Sequence, residues 1–294
     1  MSDSTEVVLP RLRHLQCLGS RGLHRMAYWE WGDPANRRVL VCVHGLSRQG
    51  RDFDTLARDL CGSFRVVCPD VVGRGQSDWL ADPSGYAIPN YVADMVTLLA
   101  RLDAESVDWV GTSMGGLIGL ALAAQPGSPL RRLVLNDVGP TIEPVVIERI
   151  KAYLGQPVRW QSLEQAADAL WSISQGFGPH TPQEWLALTV PQLKPDGDGF
   201  VPRCDPGVAV PVRATTAEAL AAGSAMLWAA YDTLRCPTLL LRGADSDLLT
   251  EATAQAMTQR GPRARLVEFA GVGHAPTLVA ANQRQAVREF LLGP

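Results

Sequence analysis

The sequence predicts an α/β protein, a doubly wound and mostly parallel sheet of about eight strands carrying a helical insertion. Three observations predict it. Short apolar runs without polar alternation recur along the chain, helix-like segments separate them, and one long stretch, 141–233, breaks that rhythm. Continuous aliphatic runs suit strands buried on both faces of a parallel sheet, and strand–helix alternation suits a layered fold with helices on both sides.

In chain order, residues 11–18 and 23–31 read as two strands joined by Gly19-Ser20-Arg21-Gly22, a hairpin signal. Apolar runs follow at 39–43, 64–68, 107–110, 133–135, 238–241 and 265–269, with helical patterns at 52–60, 88–102, 115–125, 250–260 and 277–291. The stretch that breaks the alternation holds helix-like segments near 143–154, 162–174, 182–190 and 214–230, with a Pro/Gly-rich segment at 191–211. The expected division is a core of residues 1–140 and 234–294 with a helical cap at 141–233. In such a fold the ligand site lies at the carboxyl ends of the strands.

Composition narrows the function. Net charge is −3 and no Lys/Arg run occurs, so neither nucleic acid nor an anionic membrane is expected as a partner. The first ten residues do not read as a signal peptide, and no apolar stretch is long enough to span a bilayer. Cys17, Cys42, Cys61, Cys68, Cys204 and Cys236 lack metal-ligand spacing and read as reduced residues of a cytoplasmic protein. Oligomeric state is not legible.

The chemistry starts at Gly111-Thr112-Ser113-Met114-Gly115, which follows one apolar run and precedes an apolar helix. A sharp strand-to-helix turn exposes its serine, flanking glycines let elements approach closely, and the helix N-terminus favours developing negative charge. Ser113 is therefore the expected nucleophile.

Four features in order resemble the α/β-hydrolase superfamily: Val43-His44-Gly45, the turn from Asp70 to Ser77 (D-x-x-G-x-G-x-S), the Ser113 elbow, and Gly273-His274. The resemblance covers about residues 20–294 and implies no cofactor and no metal. It also implies a Ser…Asp…His order, which makes His274 the general base among the five histidines. His44 would orient the oxyanion loop. The family's oxyanion donors map to the backbone N–H groups of Leu46 and Met114.

The acid is open among three carboxylates. It must be buried beside His274. The loop after the run at 238–241 carries Asp245-Ser246-Asp247, and the position the family most often gives to the acid is Ser246. Asp247 is favoured because the apolar Leu248-Leu249 follows it; Asp245 and Asp137 are the alternatives. In the cap, Trp160, Trp171, Phe177, Trp185, Phe200, Trp228 and Tyr231 are candidate pocket walls. Arg48 and Arg51, beyond the oxyanion turn, could steer a substrate anion or serve structure. The expected activity is hydrolysis of a small-molecule acyl substrate, a carboxylic ester first, through an acyl-enzyme. Thioesters, lactones and C–C bonds flanked by ketones suit the same triad, and a non-catalytic receptor of the same fold is the alternative class.

Overall fold

The computed structural model describes residues 9–19 and 21–293; the first eight residues, where a signal peptide was not expected, and Ser20 of the hairpin turn lie outside the described residues. β1 (Arg11–Gly19) and β2 (Gly22–Trp31) form an antiparallel hairpin. There follow β3 (Val39–Val43), α1 (Asp54–Leu60), β4 (Arg65–Asp70), α2 (Ile88–Leu102), β5 (Val107–Thr112), α3 (Met114–Ala123) and β6 (Leu130–Asn136). A long insert then intervenes: α4 (Pro144–Tyr153), α5 (Leu163–Ser172), α6 (Pro182–Thr189), β7 (Leu193–Asp196), β8 (Gly199–Pro202), α7 (Ala209–Arg213) and α8 (Ala217–Thr233). The chain returns through β9 (Thr238–Gly243), α9 (Glu251–Gln259), β10 (Arg265–Phe269) and α10 (Ala281–Leu292).

The main sheet has eight strands in the order β1-β2-β4-β3-β5-β6-β9-β10. β1, β2 and β4 pair antiparallel, and all pairings from β4 to β10 are parallel. Why the strands read as unbroken apolar runs is visible in β3. Val39, Val41 and Val43 enter one core cluster, whereas Leu40 and Cys42 enter the other. Each successive side chain points to the opposite face, and both faces are covered. α2, α3 and α9 cover the first face through residues such as Met95, Ile118 and Met257. α1 and α10 cover the second through Leu56, Leu60, Val287 and Leu291. Each fully buried aliphatic side chain contributes roughly 1.5–3 kcal/mol.

The Pro/Gly-rich segment of the insert holds more order than its composition suggests. β7 and β8 pair antiparallel around Gly197-Asp198, with Gly197 at φ +57, the left-handed conformation that a two-residue hairpin requires. The segment is then stitched to the core: Gly75 N–H donates to the Arg203 carbonyl (2.9 Å) and Asp205 N–H to the Gly73 carbonyl (2.8 Å). No helix among the described residues is long and apolar enough to cross a membrane. All six cysteines are free thiols.

Candidate active site

Ser113 sits between β5 and α3 with φ +52 and ψ −116, a backbone conformation costly for a residue with a side chain. The flanking glycines are obligatory for packing. A Cβ on Gly111 would lie 2.2 Å from the Gly115 carbonyl oxygen, and one on Gly115 would lie 2.0 Å from that of Val43. The elbow is held by Ser113 N–H donating to the Asn136 carbonyl, 3.0 Å.

His274 lies in the loop between β10 and α10. Its Nε2 is 3.0 Å from Ser113 Oγ and its Nδ1 is 2.7 Å from Asp137 Oδ2. Two contacts fix this loop. Gly273 N–H donates to the Gly176 carbonyl of the insert (2.6 Å), and the Asn136 amide donates to the Pro276 carbonyl (2.8 Å).

The carboxylate on His274 therefore belongs to Asp137, directly after β6, and the expectation of Asp247 is corrected. Asp137 is fully buried with φ +57. Besides His274 it accepts from Gly243 N–H (2.9 Å, Oδ1) and from the Ser246 hydroxyl (2.6 Å, Oδ2). Asp247 lies about half-exposed at the cavity, beside Arg149 of α4 rather than on the imidazole, and the hydrogen bonds from Arg149 hold its carboxyl below the usual range. Leu248 and Leu249 are indeed buried, but Asp247 just before them is turned to the exposed side. Asp245 is exposed at the cavity. Ser246, where the family pattern would put an acid, is a buried donor to Asp137 instead. Its sequence signal was that missing acid.

The loop after β3, where the oxyanion donor Leu46 is expected, is built from buried polar groups. His44 Nε2 accepts from Val71 N–H (2.9 Å), so Nδ1 carries the proton and donates to the Gly45 carbonyl (2.7 Å). Burial holds this imidazole neutral, pushed down to about 3. Arg74, fully buried in the D-x-x-G-x-G-x-S turn, donates to the carbonyls of Leu46 (2.8 Å) and Val72 (2.7 Å) and to the Tyr91 hydroxyl (3.0 Å). The sequence reading passed over Arg74. Asp70 of that turn accepts from the N–H groups of Gly50 and Gln76, and its own burial raises it to about 6. Met114 is the first residue of α3, where the helix offers its N–H no partner. Leu46 N–H likewise has no protein acceptor among the described residues.

Ser113 and His274 open into a cavity of about 550 Å³ walled by both the core loops and the insert. From the insert come Arg149, Ile150 and Tyr153 of α4, Leu170 of α5, and Phe177 and Leu188. Of the insert aromatics named from sequence, Phe177 alone lines the cavity, joined by Tyr153, which was not among them. Trp171 and Trp185 pack edge to face against each other, and Tyr231 is buried, donating to the Met257 carbonyl. Arg48 lines the cavity but is paired with Asp52 (2.5 and 2.9 Å) and lies over the Phe177 ring. Arg51 pairs with Asp54 and stacks on Trp29. Elsewhere, Cys17, His24 and Asp94 bring three metal-capable atoms within 4.8 Å. His24 is bonded to Asp94 (3.0 Å), a buried contact tying the β1–β2 hairpin to α2.

Chemically, a histidine between a hydroxyl and a buried carboxylate can take the hydroxyl proton and keep its resulting charge stabilised. Comparisons with known proteins agree with a hydrolytic site. Residues 40–289 match the family model described as alpha/beta hydrolase family. The chain is 55% identical over 288 residues to a 3-hydroxybutyrate-oligomer hydrolase of Cupriavidus necator, covering 97% of this chain and 98% of that protein. It is 27% identical over 261 residues to a pimeloyl (acyl-carrier protein) methyl ester esterase of Xanthomonas campestris, covering 86% and 94% respectively. A solved alpha/beta hydrolase from Novosphingobium aromaticivorans superposes with a TM-score of 0.86 at 33% identity, covering 98% of this chain and 99% of that one.

Proposed function

This chain belongs to the alpha/beta hydrolase family and is an ester hydrolase, and on that premise we propose that it cleaves short oligoesters of 3-hydroxybutyrate through an acyl-enzyme on Ser113. The observation that carries the mechanism is the continuous hydrogen-bond chain from Ser113 Oγ through His274 to Asp137. The substrate class rests on the Cupriavidus relative, to which the likeness extends over nearly the whole of both chains.

In this reading His274 takes the Ser113 proton as Oγ attacks the ester carbonyl. Negative charge develops on the carbonyl oxygen, which the N–H groups of Leu46 and Met114 receive; one such donor is worth about 3 kcal/mol in the transition state. His274 passes its proton to the leaving alcohol, then activates water to release the acyl group. Asp137, held by Gly243 and Ser246, keeps the imidazole oriented with its proton on Nδ1. The helical insert acts as a cap that walls the substrate cavity. Its aliphatic side chains, Ile150, Leu170 and Leu188, suit a methyl-bearing chain.

The test is incubation with the 3-hydroxybutyrate dimer and trimer, with release of 3-hydroxybutyrate followed by chromatography. Turnover is expected, and it is lost in Ser113→Ala. A fluorophosphonate should label the wild type and not that variant. Absence of labelling would exclude an activated Ser113, and labelling without oligomer cleavage would exclude the substrate.

A further inference from the structure

Two arginines line the cavity, and they are held differently. Arg48 is clasped by Asp52, their side chains 13% and 16% exposed, and its guanidinium is stacked on Phe177. Arg149 and Asp247 are 52% and 46% exposed. Asp247 engages only the two terminal nitrogens of Arg149, while a guanidinium carries five N–H donors. An ion pair this open contributes little, so a ligand carboxylate can share the guanidinium or displace Asp247 at small cost. Arg149, Ile150 and Tyr153 form one face of α4 toward the cavity.

We propose that Arg149 is the receptor for a free carboxylate at the acid end of the substrate, which makes the enzyme cut the ester bond nearest that end. The proposal rests on the oligoester reading above. Its direction follows from His274. Asp247 directly follows Asp245 and Ser246, and both are tied to the surroundings of His274: Asp245 N–H donates to the Val272 carbonyl (2.8 Å), and the Ser246 hydroxyl shares Asp137 with the imidazole, which places the Arg149–Asp247 pair on the imidazole side of the cavity. The leaving alcohol must also lie on that side, because His274 gives it its proton. When the last ester bond of an oligomer is cut, the leaving alcohol is the unit bearing the free carboxylate. Ser113 Oγ bonds to the carbonyl carbon, and the bond from that carbon to the terminal unit's oxygen breaks. The oxygen takes the His274 proton, and a hydroxy-acid anion departs from Arg149. Water then frees the shortened oligomer from Ser113.

The experiment compares the 3-hydroxybutyrate trimer as free acid and as its methyl ester, in the wild type, Arg149→Gln and Asp247→Asn. The wild type should prefer the free acid in kcat/KM. In Arg149→Gln the free-acid to methyl-ester ratio should fall about 10- to 100-fold, mostly through KM, the effect of losing a charge-assisted contact. Asp247→Asn removes the competing carboxylate, so the same ratio should rise a fewfold. A trimer labelled at its hydroxyl end should give labelled dimer as its first product. Equal losses on both substrates in Arg149→Gln and Asp247→Asn would make the pair a mere tie between insert and core, and would overturn the proposal. A wild type that cleaves both trimers equally overturns this subsite while leaving the oligoester reading intact. A wild type that cleaves neither overturns that reading itself.

Discussion

Two loops leave the neighbouring parallel strands β6 and β9 at their carboxyl ends, and each carries an aspartate. After β6, Asp137 is fully buried, adopts a positive φ, and receives a backbone N–H, a serine hydroxyl and the imidazole. After β9, Asp247 stands about half in solvent and faces one arginine. Of the two, Asp137 is the one bonded to the histidine, and they also differ in how firmly each is held. A carboxylate can fix a ring only if it is itself fixed, and only a dry one keeps its full attraction for the imidazolium. Asp137 meets both conditions; Asp247 meets neither.

That contrast can be broken by measurement. The largest effect belongs to Asp137→Asn, expected to lower kcat on a p-nitrophenyl ester about 10³- to 10⁴-fold with the fold intact. A loss under tenfold would remove Asp137 from the relay. Next comes a stability effect on the buried side of the site. His44 titrates near 3 in the fold and near 6.5 unfolded, so the stability it confers is complete above 6.5 and is lost as pH falls toward 3. The slope is about 1.4 kcal/mol per pH unit. Asp70, raised to about 6, acts oppositely below that pH, so the quantity to compare is the urea midpoint between pH 7 and 5 in wild type and His44→Asn. The wild type should lose midpoint relative to the variant over this interval, because in His44→Asn the Asp70 contribution alone remains and opposes a fall. Ser246→Ala should cost about tenfold in kcat, the worth of one hydrogen bond to a charged acceptor, with little change in KM. Smallest is Asp247→Ala, with less than about a threefold effect on the same neutral ester, as befits an exposed ion pair. An Asp247 effect larger than that of Asp137 would reverse the comparison.

Much of this was legible in the sequence because it is local. The strands are unbroken apolar runs, the elbow is five consecutive residues, and Ser113 and His274 follow from motif and order. The carboxylate partner of His274 was not, because what holds Asp137 in place lies elsewhere: its donors Gly243 and Ser246 are 106 and 109 residues along the chain. The two leucines after Asp247 signalled a buried loop, but not which way the preceding side chain turns. Arg74 escaped notice for the same reason, since its acceptors on Leu46 and Tyr91 meet it only in the folded protein. The β7–β8 hairpin was hidden by proline and glycine, although Gly197-Asp198 is itself a turn signal.

The positive φ of Ser113 carries one more consequence. With ψ −116 the residue occupies a region of backbone space natural to glycine, and holding a side chain there costs on the order of 1–3 kcal/mol. Heat resistance and turnover therefore pull in opposite directions at this position. A screen that selected this protein for melting temperature alone would favour glycine at 113 and would discard the hydroxyl that His274 reaches.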